Sequence, residues 1–449
     1  MSRHPLATNT NFRLLFGGST VSMFGDQFTL VALPWLVLKL TGDPGALGLV
    51  LAAMAVLRAV FMLIGGAVVD HFSARAVLLL ARAANAVMVA ALAAMVLTGA
   101  ISMPWVYVLA LGIGLATAFA YPAGSALLPS VIEPQQLAQA NGAMMGMRQL
   151  SMFIGPALAG VVIGTGAHAS TAGSALADAR GLGWAFAIDA ASFGTSLLSL
   201  ALIRVPAAAK RAPLQHGVFG QVLGGLRGIA ADPPLRAFML YAAVVSLFVG
   251  GPTQVGLPVL ADMRLDHGAT SLGIVMAASG GGMLLGGLFS GAVAKLVRGH
   301  LGAMILCFDA CIGLTLVGLA GVHSTVLAAM LLGLTGLLGG IVQITLVSWI
   351  QRRVPREMLG RTMSVLMFTF LGLGPLSASG VGAAQGDLAA SAVHRRRPHP
   401  DRDRSGLPDQ PGPARHPRAG RRAADRLRFS PSAKPLRAPA ARWPPSRRP

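Results

Sequence analysis

Three ionisable side chains stand deep inside long apolar runs, where a charge needs either a partner or a task. Asp26 lies about twelve residues, or roughly 18 Å at 1.5 Å per residue, from the polar end of its run. Arg58 and Arg148 lie about eleven and about ten residues from the corresponding ends of theirs. If these runs cross a bilayer, all three fall near mid-depth, where an unpaired charge costs at least about 2.5–3.5 kcal/mol. A carboxylate there that binds and releases a proton can couple proton flow to transport, with Arg58 or Arg148 as its partner. A permanent structural ion pair would meet the same electrostatic demand, and both readings stay open at this point. Asp189 and Asp309 also sit in apolar runs; a hydrogen-bonded structural role is expected for each.

A second pattern runs from Gly66 through Asp70 to Arg75, at the polar break after the second apolar run. Gly66 lets another helix approach closely. Asp70, at the membrane face, can accept from the free N–H groups that open a neighbouring helix, and Arg75 can hold that carboxylate in place. An ordinary polar turn is the plainer reading of the same residues. A third pattern, Gly155-Pro156-x-x-x-Gly160, lies inside the fifth run. Its proline removes a backbone hydrogen bond and bends the helix, while its glycines permit close packing.

The elements that must position these residues follow from composition. Of 449 residues, 54% are hydrophobic and 12% are charged, about half the usual charged share. With a mean hydropathy of +0.65, the chain cannot clothe a soluble core in charge, so lipid must replace water around most of it. Apolar runs are expected to span the membrane at about 14–40, 46–69, 76–98, 103–123, 139–165, 183–203, 235–260, 268–294, 301–321, 325–348 and 361–386. The long polar break at 204–234 divides six spans from five. With the N-terminus inside, fifteen of the twenty basic residues before 394 fall at inner loops and span ends and three at outer ends, leaving Arg58 and Arg148 within spans. No cleavable leader is expected, because the first run is too long and contains Asp26. The two cysteines, Cys307 and Cys311, share one helix face and read as packing residues.

The two groups of spans resemble each other at an interval of about 220 residues. Pro134-Gln135-Gln136-Leu137 and Gly155-Pro156 in the first answer to Pro355-Arg356-Glu357-Met358 and Gly374-Pro375 in the second. Such a repeat marks a transporter built from two related bundles. Gly66, Asp70 and Arg75 match the G-x-x-x-D-R-x-G-R-R loop of the major facilitator superfamily, from which His71, Ser73 and Ala74 depart. Phe12-Arg13-Leu14-Leu15, Gly25-Asp26-Gln27, Ala32-Leu33-Pro34-Trp35 and Gly124-x-x-Ala126-Leu127-Leu128-Pro129 look like bacterial exporters of the enterobactin-exporter and macrolide-efflux type. The resemblance covers residues 12 to about 386. It implies an all-α membrane protein of two pseudo-symmetric six-helix bundles, with the twelfth helix apparently missing. It also implies that spans one, four, seven and ten surround a cavity lined by Tyr121, Tyr241, Gln254 and Gln343. Asp70 is expected to meet the start of the eleventh span at Gly360 and Arg361, forming a conformational gate, and the Gly-Pro motif is that of the superfamily's exporters.

The expected organisation is an N-terminal bundle at 1–203, a cytoplasmic loop at 204–234, a C-terminal bundle at 235–387 and an Arg/Pro-rich disordered tail at 388–449. Residues 394–449 hold sixteen of the 36 Lys and Arg and twelve of the 28 prolines, without an apolar run. A frameshift near residue 390 accounts for that composition, and a genuine polybasic tail that binds anionic lipid is the other reading. Nucleic-acid binding is not expected, for want of a folded motif. No phosphate-loop motif and no metal-ligand spacing appears, so neither cofactor nor enzymatic activity is expected. The chain reads as a monomeric secondary transporter of the bacterial cytoplasmic membrane, exporting a small molecule in exchange for protons by alternating access. A non-transporting relic or a membrane sensor is the alternative.

Overall fold

The computed structural model describes residues 8–168, 178–204, 227–297 and 299–355, with scattered positions between 358 and 377. Most of the 204–234 loop, most of the expected eleventh span and the tail therefore lie outside the described residues. In lipid, every backbone N–H and C=O must be satisfied within its own segment, which favours helices. Ten helices among the described residues are long and apolar enough to cross a membrane. They are α1 (Thr10–Thr41), α2 (Pro44–His71), α3 (Ala74–Leu97), α4 (Met103–Val131), α5 (Leu137–His168), α6 (Ala179–Leu202), α7, α8 (Gly268–Val297), α9 (Leu301–Leu319) and α10 (Thr325–Arg353).

Helix ends follow local chemistry. Gly42 ends α1 in the left-handed region at φ 63°, its N–H on the Leu38 carbonyl; Asp43 then caps α2 and Pro44 takes its first position. The seventh span is broken into α7a (Pro233–Val245) and α7b (Gly251–Arg264) by a π-helical turn at Ser246–Gly250. Pro252, just beyond that turn, has no N–H to give the preceding turn, and the wider turn accommodates the loss.

The helices form two bundles. Within the first, α1 packs on α5 and α6, α2 on α4, and α3 on α4 and α6; within the second, α8 packs on α10 and α9 on α10. The bundles meet mainly where α5 crosses α8. At the membrane face that carries Lys39, one core joins Trp35, Leu36 and Phe186 of the first bundle to Val255, Leu265 and Leu272 of the second. At the opposite face the described residues form two separate cores. One holds Phe12, Leu15, Leu127 and Leu200, the other Leu235, Phe238, Leu346 and Ile350.

The same latch recurs in both bundles. Asn9 caps α1 and donates from Nδ2 to the Val131 carbonyl at the end of α4, 3.0 Å away. Asp232 caps α7a and pairs with Arg353 at the end of α10, at 2.7 Å. The hydrogen bonds from Arg353 hold the Asp232 carboxyl below the usual carboxylate range. Whatever stability that pair adds is thus complete above the ordinary carboxylate range and fades as pH falls through the lowered value.

Glycines set the closest approaches. A Cβ on Gly114 would lie 2.7 Å from the Met54 carbonyl oxygen, between α4 and α2. The corresponding pair in the second bundle, α8 and α10, is tighter. A Cβ on Gly336 would lie 2.1 Å from the Ser279 oxygen, and one on Gly282 2.0 Å from the Gly333 oxygen. Gly339, one turn along α10, has open space instead. Gly336→Ala is therefore expected to cost about 1–3 kcal/mol through overpacking and to lower the unfolding temperature in detergent. Gly339→Ala is expected to leave that temperature unchanged or raise it, since alanine favours helix by up to about 1 kcal/mol. Equal unfolding temperatures for the two variants would refute the close packing of α8 on α10.

Candidate functional site

A polar layer crosses the first bundle. Gly18, Ser22, Gly25 and Thr29 recur at intervals of three and four along α1, forming one face. That face packs on α6: Gly18 meets Ser199, and Gly25 meets Ser192 and Asp189. Asp26 sits one residue round the helix and is exposed. Two cations act on it, Arg82 from α3 and Arg148 from α5. Arg82 donates from Nη1 to Ser22 Oγ, with its guanidinium 5.4 Å from the centre of the Phe193 ring. Arg148 donates from Nη1 to the Tyr121 hydroxyl and lies 5.5 Å from the centre of that ring. Arg58 on α2 has Tyr121 as an electrostatic neighbour. Asp189 is 1% exposed and accepts from the Thr29 and Ser192 hydroxyls.

At the Lys39 face, α1 reaches the second bundle directly. Lys39 Nζ lies 2.6 Å from Asp262 Oδ1 on α7b and 4.8 Å from the centre of the Trp35 ring. Trp35 in turn donates from Nε1 to Asp178 at 2.8 Å, at the start of α6. Among the described residues no group of three His, Cys, Asp or Glu side chains could hold a metal ion.

A sequence profile described as Major Facilitator Superfamily matches residues 15–379, most of the chain. The chain belongs to the major facilitator superfamily. It is 25% identical over 356 residues to the enterobactin exporter EntS of Escherichia coli O1:K1, covering 79% of this chain and 80% of that one. Solved structures share the fold. A point mutant of the nucleoside transporter NupG gives a TM-score of 0.65 at 13% identity, covering 84% of this chain and 91% of that one. A bacterial homologue of the human lysosomal transporter Spinster, inward-facing and unoccupied, gives 0.64 at 15% identity, covering 88% and 86%. The protein is a multi-pass membrane transporter of this superfamily and not an enzyme.

Within this superfamily protein, several residues singled out by the sequence have unexpected neighbours. Arg75, read as the holder of Asp70, donates from Nε and Nη2 to the carbonyls of Leu200 and Ala201, at 3.0 and 2.7 Å. It caps the end of α6, where free carbonyls and the helix dipole both favour a cation. The side chains of Gly66 and Asp70, and all of Arg361, lie outside the described residues. Tyr241, expected to line the cavity, gives its hydroxyl to Asp309 on α9 at 2.6 Å. Gln254 and Gln343 are exposed.

The Gly-Pro motif lies on the seam between the bundles. A Cβ on Gly160 would lie 2.7 Å from the Ala269 carbonyl oxygen of α8, and one on Gly273 would lie 2.3 Å from that of Pro156. Gly155 faces inward, against Gln27 of α1. Two contributors escaped the sequence reading. Arg82 stands eight residues into α3, about 12 Å, although its place in the sequence reads as an inner span end. The Lys39–Asp262 pair links residues 223 positions apart, and no local spacing announces it.

Arg75→Ala should leave two carbonyls at the end of α6 without a donor. The expected loss is about 1.5 kcal/mol, the lower end for a hydrogen bond to a charged group because the site is partly exposed, read as a lower unfolding temperature in detergent. An unchanged unfolding temperature would overturn the capping role.

Proposed function

We propose that this transporter exports a small molecule in exchange for protons by alternating access, with Asp26 as the proton-binding group. The observation that carries the reading is Asp26 itself, an exposed carboxylate about 24 Å along α1, acted on by Arg82 and Arg148 from two other helices. Ionised, it attracts both guanidinium groups and draws α3 and α5 toward α1. Protonated, it releases that attraction, and the bundle can settle into a different arrangement. Arg58 and Tyr121 extend the layer, and Gln254 and Gln343 belong to the opposing wall of the substrate cavity.

Export is supported by the exporter among the relatives and by the Gly155-Pro156-x-x-x-Gly160 motif at the α5–α8 crossing. The substrate class is a drug, macrolide or siderophore-like molecule. The transporter works as a monomer, with the bilayer and protons as its other partners. Its bundles correspond to 1–203 and 235–387, joined by the 204–234 loop, with the tail from 388 outside both. The distribution of basic residues puts the N-terminus in the cytoplasm. The shared core and the Lys39–Asp262 pair then lie at the external face, so this conformation is closed outside. Lys39–Asp262 forms the external gate, and Gly66, Asp70, Arg75 and Arg361 belong to the cytoplasmic one.

Asp26→Asn keeps the shape and removes the titration. In proteoliposomes carrying a pH dye, it should abolish substrate-driven proton movement while leaving insertion and the unfolding temperature intact. Proton movement at the wild-type rate would overturn the role of Asp26.

The gate gives a separate expectation. An exposed ion pair is worth about 0.2–1 kcal/mol, so Lys39→Met should shift the conformational equilibrium by only a few-fold toward the outward-open state. Cysteines at 39 and 262, with Cys307 and Cys311 replaced by serine, should cross-link at rest and stop transport until reduced. Cross-linking without effect on transport would exclude an opening at this pair.

A further inference from the structure

Asp189 is the carboxylate that the reading above leaves unused. It faces three packed helices. From α1 come Asp26 and the Thr29 hydroxyl, from α3 comes Arg82, and α5 sends its cation, Arg148, to Asp26. On its own helix, Ser192 adds a hydroxyl at 3.3 Å. No Lys or Arg nitrogen among the described residues comes within ion-pairing distance of it. A carboxylate that is 1% exposed at membrane depth, without a cation in contact, is a poor place for a standing negative charge.

The hydrogen bonds around Asp189 suit two protonation states. A hydroxyl both donates and accepts. Thr29 therefore donates to Asp189 when it is ionised and accepts from its O–H when it is neutral, without any change of position. Arg82 acts electrostatically on both carboxylates. Its Nη1 is on Ser22, its guanidinium lies over Phe193, one turn from Asp189, and its buried Nε has no acceptor among the described residues. That spare donor leaves room for a guanidinium that changes allegiance.

We propose that Asp189 is a second proton-carrying group, linked to Asp26 through Arg82. When Asp26 gains a proton, Arg82 loses its attraction to that site and turns toward Asp189, which then gives up its own proton. One O–H bond forms at Asp26 as another breaks at Asp189, Arg82 stays charged throughout, and the pair of carboxylates carries one proton before and after. The proposal rests on proton coupling at Asp26 for its place in transport, but the protonation of Asp189 stands apart from it.

Infrared spectroscopy of the protein in lipid tests the two separately. At neutral pH the wild type should show the carbonyl stretch of a protonated carboxyl, and Asp189→Asn should lose that band. Thr29→Val should move the band without removing it, because only its hydrogen bond is lost; this variant serves if Asp189→Asn fails to fold. Arg82→Gln should carry the band to higher pH. Absence of any protonated-carboxyl band, or its survival unchanged in both Asp189→Asn and Thr29→Val, would overturn the proposal. In proteoliposomes, Asp189→Asn should alter the pH profile of proton-coupled transport. A wild-type profile for Asp189→Asn, beside abolished proton movement in Asp26→Asn, would overturn Asp189 alone. An absence of proton movement in the wild type would overturn the coupling reading and leave the infrared result to decide Asp189.

Discussion

A charge at membrane depth has no water to retreat to, and the first bundle is arranged around that fact. Two of its arginines are each placed against a hydroxyl and an aromatic face, Arg82 on Ser22 and Phe193, Arg148 on Tyr121. The Arg82 contacts lie where α1 presents small residues toward α6. Gly25 admits Ser192 and Asp189 at a distance no side chain would allow. The packing of α1 on α6 and the survival of the polar layer are thus one problem with one solution.

The second bundle solves a different problem with the same residue type. Lipid tails provide no hydrophobic drive between helices, so close backbone approach and dispersion must hold them together. Gly282, Gly286, Gly336 and Gly340 bring α8 and α10 into direct backbone contact. Across the seam, Gly160 and Gly273 do the same for α5 and α8. A seam of small residues has few interlocking side chains to separate, which would suit the rocking of two bodies that the proposed alternating access requires. At the Lys39 face the partners are larger, with Trp35, Leu36 and Leu272 in a common core. Under the proposed alternating access, that contact is the one an opening at this face would have to dismantle.

Spans were legible in the sequence because hydrophobicity over twenty residues is a strong signal, and their ends because Gly42, Asp43 and Pro44 act locally. The break in α7 was not, since Gly250-Gly251-Pro252 signals a weak point without saying that the backbone widens into a π turn there. Gly336 and Gly339 are indistinguishable in sequence, and only packing separates the one that matters from the one that does not. Depth estimates identified Asp26, Arg58 and Arg148 but passed over Arg82. A long side chain near a helix end can reach several ångströms toward mid-membrane, and depth counted along the backbone ignores that reach. Arg75 was assigned to a neighbour in sequence, whereas the free carbonyls of α6 compete for it and are held in place by the fold.

The choice of partners for the arginines bears on how a proton could be read by this bundle. A guanidinium fixed by a carboxylate would leave that carboxylate unable to titrate near neutral pH. Arg82 and Arg148 instead make their hydrogen bonds to neutral oxygens, which leave their field free to act on Asp26. Asp26 can then change its charge without losing a hydrogen bond that the helix packing needs. The layer contains three arginines and two carboxylates, so each protonation raises its net positive charge by one in a region where charge is expensive. Only a movement that brings in water, an anion or the remaining carboxylate can compensate. On this reading, the coupling of protonation to conformation needs no dedicated signalling path, since it follows from the low polarisability of the surroundings and the small number of groups able to answer a change in charge.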